Sequence, residues 1–352
     1  MTNSLSCGGF RFLRRLLTAL LTFFGVTLVV FALMRLAPGD PGEMRFSDAE
    51  IGGAELAESQ ARFAAEHLLD APLWKQYLHF VGPLSAAPDG ARILGGSGAD
   101  PWHGLLALDP GHEFQRPQVA VRDELLARLW ISAQLGLPAL LLASWLGIVL
   151  GLCAARRRGE LAERGLSLSL LVLDALPSFW LALLLVVLLG AGGLGWLPVL
   201  GLESADPAQR GWLDALLHRI LPISCLVLGL VPLISRQVRA SVLASSEAEF
   251  VRTARMKGLS EAMVWRAHIL RHAALPLVSL GALLVPGLLG GSVVVESVFG
   301  IPGLGRYALD AVLARDYPVI GALTALGALL TLAALMAGDW ALTRLDPRIR
   351  HG

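Results

Sequence analysis

Apolar stretches about twenty residues long alternate with polar segments along the whole chain. Because a helix rises about 1.5 Å per residue, a stretch of this length crosses the hydrocarbon core of a bilayer. The pattern therefore predicts an all-α polytopic membrane protein with six transmembrane helices. The predicted spans are Leu16–Met34, Leu129–Ala155, Leu166–Gly190, Ile220–Ser235, Ala273–Val295 and Val319–Ala337.

The first apolar stretch follows a cluster of arginines, which is also a feature of signal peptides. A signal peptide has a shorter apolar region and then a cleavage site of small residues. Here the apolar region extends to Met34, and Arg35-Leu-Ala-Pro-Gly-Asp40 follows it. We therefore predict a membrane anchor that is retained.

The basic residues near the spans predict the orientation, because arginine and lysine accumulate on the cytoplasmic side. With the N-terminus inside, seventeen of them lie in inner segments and four in the two short outer loops. Both termini are therefore predicted to be cytoplasmic. The predicted divisions are the N-terminal segment with the first helix (1–36), a periplasmic cap (37–128), a transmembrane core of five helices (129–345) that includes a cytoplasmic loop (239–275), and a C-terminal tail (346–352).

Composition narrows the class of protein. Hydrophobic residues make up 55% of the chain and charged residues 16%, and the mean hydropathy is +0.63. These values exclude a water-soluble or disordered chain. The net charge of +1 argues against a nucleic-acid partner, whereas membrane lipid is an expected one.

The polar region 37–128 combines a helical pattern with helix breakers. Ala54–Leu69 is rich in Ala, Glu, Gln and Arg, which predicts an amphipathic helix ending before Asp70-Ala-Pro72. Ser85–Gly104 contains several Pro, Gly and Asp-Gly breakers. We therefore expect a small helical cap with an irregular insert at 85–104.

The loop between the fourth and fifth spans carries a distinct local pattern. Ser246 and Glu249 have the spacing of a capping box, which predicts a short helix extending to about Met256. Gly258 is placed to end that helix in a left-handed conformation. Ser260 is then expected to cap a second helix, Glu261–Ala274. On physical grounds alone, this shape suits either docking into another protein or a solvated connector.

Several motifs resemble the permeases of ABC importers of the dipeptide, oligopeptide and nickel type, and they occur in that family's order over nearly the whole chain. The strongest is Glu249-Phe-Val-Arg-Thr-Ala-Arg-Met-Lys-Gly-Leu259, followed by Arg271-His-Ala-Ala-Leu-Pro276. The others are Arg35–Pro41, Ala71-Pro-Leu-Trp-Lys-Gln-Tyr77, Leu176-Pro-Ser-Phe-Trp180, Gly195-Trp-Leu-Pro198, Gly290–Gly305 and Leu345-Asp-Pro-Arg-Ile-Arg350.

The resemblance implies a type I importer permease fold in a bacterial inner membrane and transport of peptide-like solutes. It also implies three kinds of partner: a second homologous permease, two ATPase subunits, and a periplasmic or lipid-anchored solute-binding protein. In this family the short helix of the loop couples the permease to the ATPase. The positions carried over to that role are Glu249, Phe250, Thr253, Ala254, Arg255, Lys257, Gly258 and Leu259.

The chain lacks the motifs of an energy source or an enzyme. A phosphate-binding Walker loop needs Gly-Lys, and neither of the two lysines follows a glycine. ATP and Mg²⁺ are therefore expected on the partner ATPase, and this chain is expected to have no cofactor and no catalytic residue. His-Glu-x-x-His is also missing, and His268 and His272 lie beside arginines, so no metal site is predicted. The alternative function is a self-contained, homo-oligomeric channel or secondary transporter; a membrane enzyme is disfavoured by the missing motifs.

Acidic residues inside predicted spans are candidates for function, because a charge in the hydrocarbon region is costly. Asp174 precedes the expected kink at Pro177 and is a candidate for lining the translocation pathway, where it would attract a cationic amino terminus. Its structural alternative is an interhelical hydrogen bond. Pro177 itself is the second pathway candidate. Glu296, which ends the fifth predicted span, is the third, and its alternative is a structural role.

Overall fold

The structure, a computed structural model, describes residues 4–36, 39, 41–46, 52–82, 84–85, 92–93, 104–107, 109–190 and 193–345. Fourteen α-helices lie within these residues. They are α1 (Ser4–Leu36), α2 (Pro41–Arg45), α3 (Gly53–Glu66), α4 (Leu73–Val81), α5 (Val121–Arg156), α6 (Leu161–Ala175), α7 (Ser178–Leu189), α8 (Trp212–Ser246), α9 (Glu249–Met256), α10 (Glu261–Met263), α11 (Leu270–Leu289), α12 (Val293–Val298), α13 (Leu304–Ala314) and α14 (Tyr317–Leu345). A π-helical turn, Val264–Ile269, joins α10 to α11.

Within the described residues, five helical stretches are long and apolar enough to cross a membrane, and a bent pair makes a sixth if it counts as one span. The five are Leu17–Leu36, Val121–Arg156, Trp212–Ser246, Glu261–Val298 and Tyr317–Leu345. The number of spans agrees with the six predicted when the bent pair is counted as one span. Most helices extend beyond the predicted apolar stretches, because polar residues at the ends of a span continue the same helix.

The third predicted span, Leu166–Gly190, is bent, and the kink expected at Pro177 is a complete break between two helices. Helices α6 and α7 meet at an angle of 102°. Leu176 has extended backbone angles, since the ring of a following proline disfavours the helical conformation. Pro177 stands directly before the first residue of α7.

The helices group into two compact units, which are described separately. The first comprises residues 1–128 and 307–332, and the second comprises residues 129–306 and 333–352. The C-terminal tail predicted at 346–352 lies outside the described residues. The predicted division into membrane-side segments stays a prediction.

In the first unit, α4 packs against α1. The Tyr77 hydroxyl donates to the carbonyl of Phe24 at 3.2 Å and lies 3.1 Å from the Thr27 hydroxyl. The Phe31 ring packs edge-on against Tyr77, with 5.5 Å between ring centroids. Helix α3 ends before Asp70, close to the predicted amphipathic helix.

The insert at 85–104 lies mostly outside the described residues. Its described part includes Ser85, which belongs to strand β1 (Leu84–Ser85). This strand pairs antiparallel with β2 (Arg92–Ile93).

In the second unit, α8 is the central helix and packs against α6, α7 and α11. Its buried residues contribute to two apolar clusters. One contains Ile234, Val238 and Val242, and the other contains Leu221 and Cys225. Pro222 and Pro232 lie inside this helix without ending it.

Asp316 holds the turn between α13 and α14 in the first unit. Its side chain is 3% exposed and accepts hydrogen bonds from the backbone amides of Gln115 (3.3 Å) and Val319 (3.4 Å). Burial is the main cause that raises the pKa of this carboxyl to about 6. Folding therefore disfavours the charged form of this carboxyl relative to the unfolded chain.

We predict that Asp316→Asn removes a pH dependence of stability. Between pH 4 and 6 the folded protein retains a proton that the unfolded chain has lost, so the wild-type free energy of unfolding should fall as pH rises through this window, by about 3 kcal/mol. Asparagine has no proton to lose in this range, although it offers the two backbone amides one acceptor oxygen in place of two, so the free energy of unfolding of the variant should be independent of pH here while that of wild type falls. Thermal unfolding in detergent across this range tests the prediction, and parallel curves for both proteins would contradict it.

Candidate functional site

Helix α9 has one face fixed in the second unit. Val251 is fully buried and Ala254 is 4% exposed. Both belong to the apolar cluster that includes Val238 and Val242 of α8 and Val264 of the π-helical turn. The spacing of three residues places Val251 and Ala254 on the same side of the helix. Helix α9 is therefore attached to the helices around it by apolar packing.

The opposite face of α9 is exposed and mostly polar. Of the residues predicted to couple the chain to an ATPase, Ala254 lies on the buried face and Leu259 is half-buried. The exposed ones are Glu249, Phe250, Thr253, Arg255, Lys257 and Gly258. Arg252 and Met256 share this face, and Met256 is 73% exposed. The family resemblance did not point to Arg252 and Met256 as coupling residues. Their helical spacing from the exposed positions could have identified them.

The turn after α9 has the predicted left-handed glycine. Gly258 has φ +77°. Its amide donates to the carbonyl of Arg255 at 3.0 Å, and the amide of Leu259 donates to the carbonyl of Ala254 at 3.3 Å. These two bonds form a Schellman motif, and Leu259 packs on the apolar cluster below it. The prediction that Gly258 ends this helix is confirmed.

The predicted capping box is wrong. Ser246 is the last residue of α8, and its hydroxyl donates to the carbonyl of Leu243 at 2.8 Å within that helix. Ala248 takes the N-cap position of α9 and offers no side-chain acceptor. Glu247 instead forms an exposed ion pair with Arg158. Ser246 therefore forms the local hydrogen bond within α8 instead of the reciprocal cap of α9.

Two further contacts join α9 to the segment that follows it. The Phe250 ring packs against His272, with 4.3 Å between ring centroids, and lies 6.4 Å from His268. The Arg255 guanidinium donates to Glu261 at 2.9 Å and 3.4 Å. This pair is exposed and is expected to contribute at most about 1 kcal/mol to stability. In this structure the rings of the two histidines therefore lie against the ring of Phe250.

The pathway candidate Asp174 is engaged by an ion pair. It lies near the end of α6, and Arg236 of α8 approaches its carboxylate to 2.9 Å. Both side chains are partly exposed, at 34% and 51% respectively. The contact is an interhelical one, as the structural alternative for this residue expected. The roles of Asp174 and Pro177 in a pathway stay predictions.

Glu296, the other pathway candidate, lies in a buried hydrogen-bond network of the second unit. Its side chain is 2% exposed and accepts from the Ser132 hydroxyl and from the amide of Arg306, each at 2.8 Å. The Ser132 oxygen in turn accepts from the amide of Leu304 at 2.8 Å. The carboxylate thus fixes the start of α13 to α12 and α5. These contacts favour the structural role, and a role in the pathway stays a prediction.

Three glycines leave the space that this carboxylate occupies. A Cβ atom on Gly303 would overlap the Glu296 carboxylate, and one on Gly291 would lie 2.5 Å from Oε1. A Cβ atom on Gly305 would lie 3.1 Å from Oε2. Gly291 also has φ +84°, which side chains rarely adopt. The glycines of the 290–305 motif therefore have a packing function around Glu296.

Long apolar helices, interrupted at defined breaks and joined by a loop that presents a short amphipathic helix, define a helical integral membrane protein. Residues 147–351 match the family described as "Binding-protein-dependent transport system inner membrane component". The chain belongs to this family. The predicted family is thereby confirmed, together with the all-helical permease fold and the inner-membrane location that it implies.

Individual relatives match over almost the full length, each covering 96% of this chain and 98% of the relative. The di/tripeptide transport system permease protein DppB of Pseudomonas aeruginosa is 36% identical. The dipeptide transport system permease protein DppB of Escherichia coli K12 is 32% identical, and the oligopeptide transport system permease protein AppB of Bacillus subtilis is 31% identical. Among solved structures, an inward-facing MetNI methionine ABC transporter is 18% identical, with a TM-score of 0.49, over 63% of this chain and 96% of that chain.

We predict that Gly303→Ala destabilises the protein, because the added methyl group must displace the Glu296 carboxylate from its hydrogen bonds. Overpacking of this kind costs about 1–3 kcal/mol. Gly287→Ala is the matched control, since that glycine lies inside α11 and an added Cβ meets no atom within 4 Å. Thermal unfolding of the detergent-purified variants should show a lower apparent Tm for Gly303→Ala alone. Equal apparent Tm values would exclude the packing function of Gly303.

Proposed function

We propose that the chain is one half of the translocation pathway of an ATP-driven importer for peptide-like solutes. Peptide transport is supported by the names of the relatives from three bacteria. The other half of the pathway is a second, homologous permease. Two ATPase subunits bind on the cytoplasmic side, where both termini of this chain also lie. A periplasmic or lipid-anchored protein delivers the solute.

The observation that carries this proposal is the two-faced packing of α9. Its buried face, Val251 and Ala254, shares an apolar cluster with α8 and with the π-helical turn before α11. A force applied to the exposed face is therefore transmitted to two membrane helices through close-packed side chains, which have little freedom to yield. The Gly258 turn and Leu259 fix the C-terminal end of α9 in the same way.

The exposed face of α9 also indicates the chemistry of its partner. It carries one acidic residue, Glu249, and three basic ones, Arg252, Arg255 and Lys257. Phe250 and Met256 add apolar surface. We infer a docking groove that is apolar at its centre and acidic at its edges. ATP and Mg²⁺ bind to the ATPase that provides this groove, and this chain itself makes and breaks no covalent bond.

Asp174 and the break at Pro177 are our candidates for contact with the solute. In this structure the Asp174 charge is balanced by Arg236. Attraction of a cationic amino terminus requires that this pair separates when the permease changes conformation. The exposed position of both side chains is compatible with such a change, whereas the buried contacts of Glu296 favour a fixed position for that residue.

We predict that Gly258→Val abolishes transport and ATPase association while membrane insertion is unchanged. An added Cβ at Gly258 meets no atom within 4 Å, so the effect comes from the left-handed backbone and not from a clash. Valine in this conformation costs at least about 1–2 kcal/mol and distorts the turn. Gly258→Asn is the matched control, because asparagine tolerates the conformation. Wild-type uptake and co-purification of the valine variant would refute the coupling assignment.

The first experiment for the whole proposal is a mild-detergent purification of the tagged chain from native membranes, with the accompanying proteins identified by mass spectrometry. Recovery of a second permease and of ATPases with Walker loops would support the importer, and a co-purifying binding protein would then identify the solute. Recovery of the chain alone as a stable homo-oligomer would instead support the channel or secondary transporter.

A further inference from the structure

The α5–α6 turn, residues 156–160, has a fixed conformation that the transport mechanism above does not use. Gly159 has φ +87°, and its amide donates to the Glu163 carboxylate at 2.7 Å. Arg239 of α8 forms an ion pair with the same carboxylate, and Glu163 is buried. A left-handed glycine and a contact with α8 therefore hold the turn in one shape.

The turn is attached on both sides of α9 to the loop that carries this helix. Arg158 forms an ion pair with Glu247, which precedes α9. The Arg156 guanidinium lies over the ring of Trp265, in the π-helical turn after α9, at 5.1 Å from the ring centre. Ala155, directly before the α5–α6 turn, belongs to the apolar cluster that holds the buried face of α9. The turn and α9 are thus parts of one packed body.

The length of α8 places the turn beyond the lipid headgroups. The apolar part of α8 ends at Ser235, and the helix continues for eleven residues to Ser246, which is about 16 Å. At a helix tilt of about 40°, the upper end of the usual range, this segment still extends about 12 Å from the hydrocarbon core. A headgroup layer is about 5–8 Å thick. Because Glu247 follows Ser246 and pairs with Arg158, the turn lies where a soluble protein can reach it.

The charges of the turn favour an acidic partner. Residues 156–160 comprise three arginines, a glycine and one acidic residue, Glu160. Arg158 is already paired with Glu247. Arg157 is exposed, and within the described residues no acidic side chain forms an ion pair with it. Its guanidinium is therefore available to a carboxylate from outside the chain.

The acidic residues around the turn do not offset Arg157. Those at the start of α6 and in the loop that carries α9 all lie within the described residues. Three of them are already paired: Glu163 with Arg239, Glu247 with Arg158, and Glu261 with Arg255. On the turn and the exposed face of α9, the acidic Glu160 and Glu249 remain, together with the basic Arg156, Arg157, Arg252 and Lys257. Basic side chains are therefore in excess on this surface.

We propose that the α5–α6 turn is a second part of the surface that docks the ATPase, and that Arg157 binds an acidic side chain beside the groove that receives α9. The occupant is the ATPase of the proposed function, on which this assignment rests. A protein that covers the exposed face of α9 meets the turn as well, because the two are packed together. Contact at the turn transmits movement of the ATPase directly to α5 and α6, in addition to α8 and α11.

The test uses the complete complex of permeases and ATPases, reconstituted in nanodiscs of phosphatidylcholine. The complex is diluted stepwise, and the amount of ATPase that the tagged permease retains gives the dissociation constant of the ATPase. Arg157→Glu should raise this constant by about ten-fold or more, because repulsion replaces a charge-assisted contact. Arg164→Glu is the matched control, since Arg164 is also exposed and carries the same charge, but lies inside α6 and outside the turn.

Each outcome decides the proposal. An unchanged dissociation constant for Arg157→Glu, or an equal increase for Arg164→Glu, would overturn the second contact. Nanodiscs that also contain phosphatidylglycerol test the membrane as the occupant. An effect of Arg157→Glu confined to these discs would show that the arginine binds anionic lipid, and this result would also overturn the proposal.

Gly258→Val separates these results from a failure of the proposed function. If this variant loses the ATPase while Arg157→Glu binds it with wild-type affinity, the coupling role of α9 is supported and only the contact at the turn is excluded. A wild-type complex from which no ATPase can be recovered with the permease would overturn both.

Discussion

The hydrocarbon region of a membrane offers no water, so every backbone amide and carbonyl there needs a partner within the protein. Continuous helices meet this requirement by themselves, and the chain uses them for most of its apolar length. The requirement becomes demanding where a helix stops. At the start of α13, the amides of Leu304 and Arg306 are satisfied by Ser132 and Glu296. In the loop outside the spans, where water is available, the carbonyls of Ala254 and Arg255 are also satisfied, by the amides of the glycine turn after α9. The functional features of the second unit cluster at such interruptions.

Hydropathy predicted the number of spans because burial in lipid depends on composition over a window of about twenty residues. It predicted their ends poorly, since Arg236 and Arg239 continue α8 although they end its apolar stretch. The break at Pro177 was visible as a kink, yet its angle was not predictable. A proline limits the conformation of its neighbour, whereas the direction of the next helix is set by packing against α8 and α12.

The candidate site shows the same division between local and long-range information. The left-handed turn at Gly258 was predictable because it follows from local sequence, a glycine placed directly after a short helical pattern. The capping box failed because Ser246 had a second local partner in its own helix, and the sequence does not rank the two. The hydrogen-bond network of Glu296 could not be predicted from the sequence, since Ser132 lies 164 residues away along the chain. The glycines around Glu296 were part of a motif that resembles the family, and their packing role came from the structure.

The π-helical turn before α11 has a consequence for the length of this loop in related sequences. Val264 and Ile269 are both fully buried although they are five residues apart, a spacing that places side chains on different faces of an α-helix. The i to i+5 bonding of a π turn brings them to the same side, because it accommodates one additional residue. In a homologue that lacks one residue here, the segment would form a regular α-helix, and both ends of the segment would keep their positions. Length variation of a single residue in this loop is therefore compatible with an unchanged contact between α9 and the membrane helices.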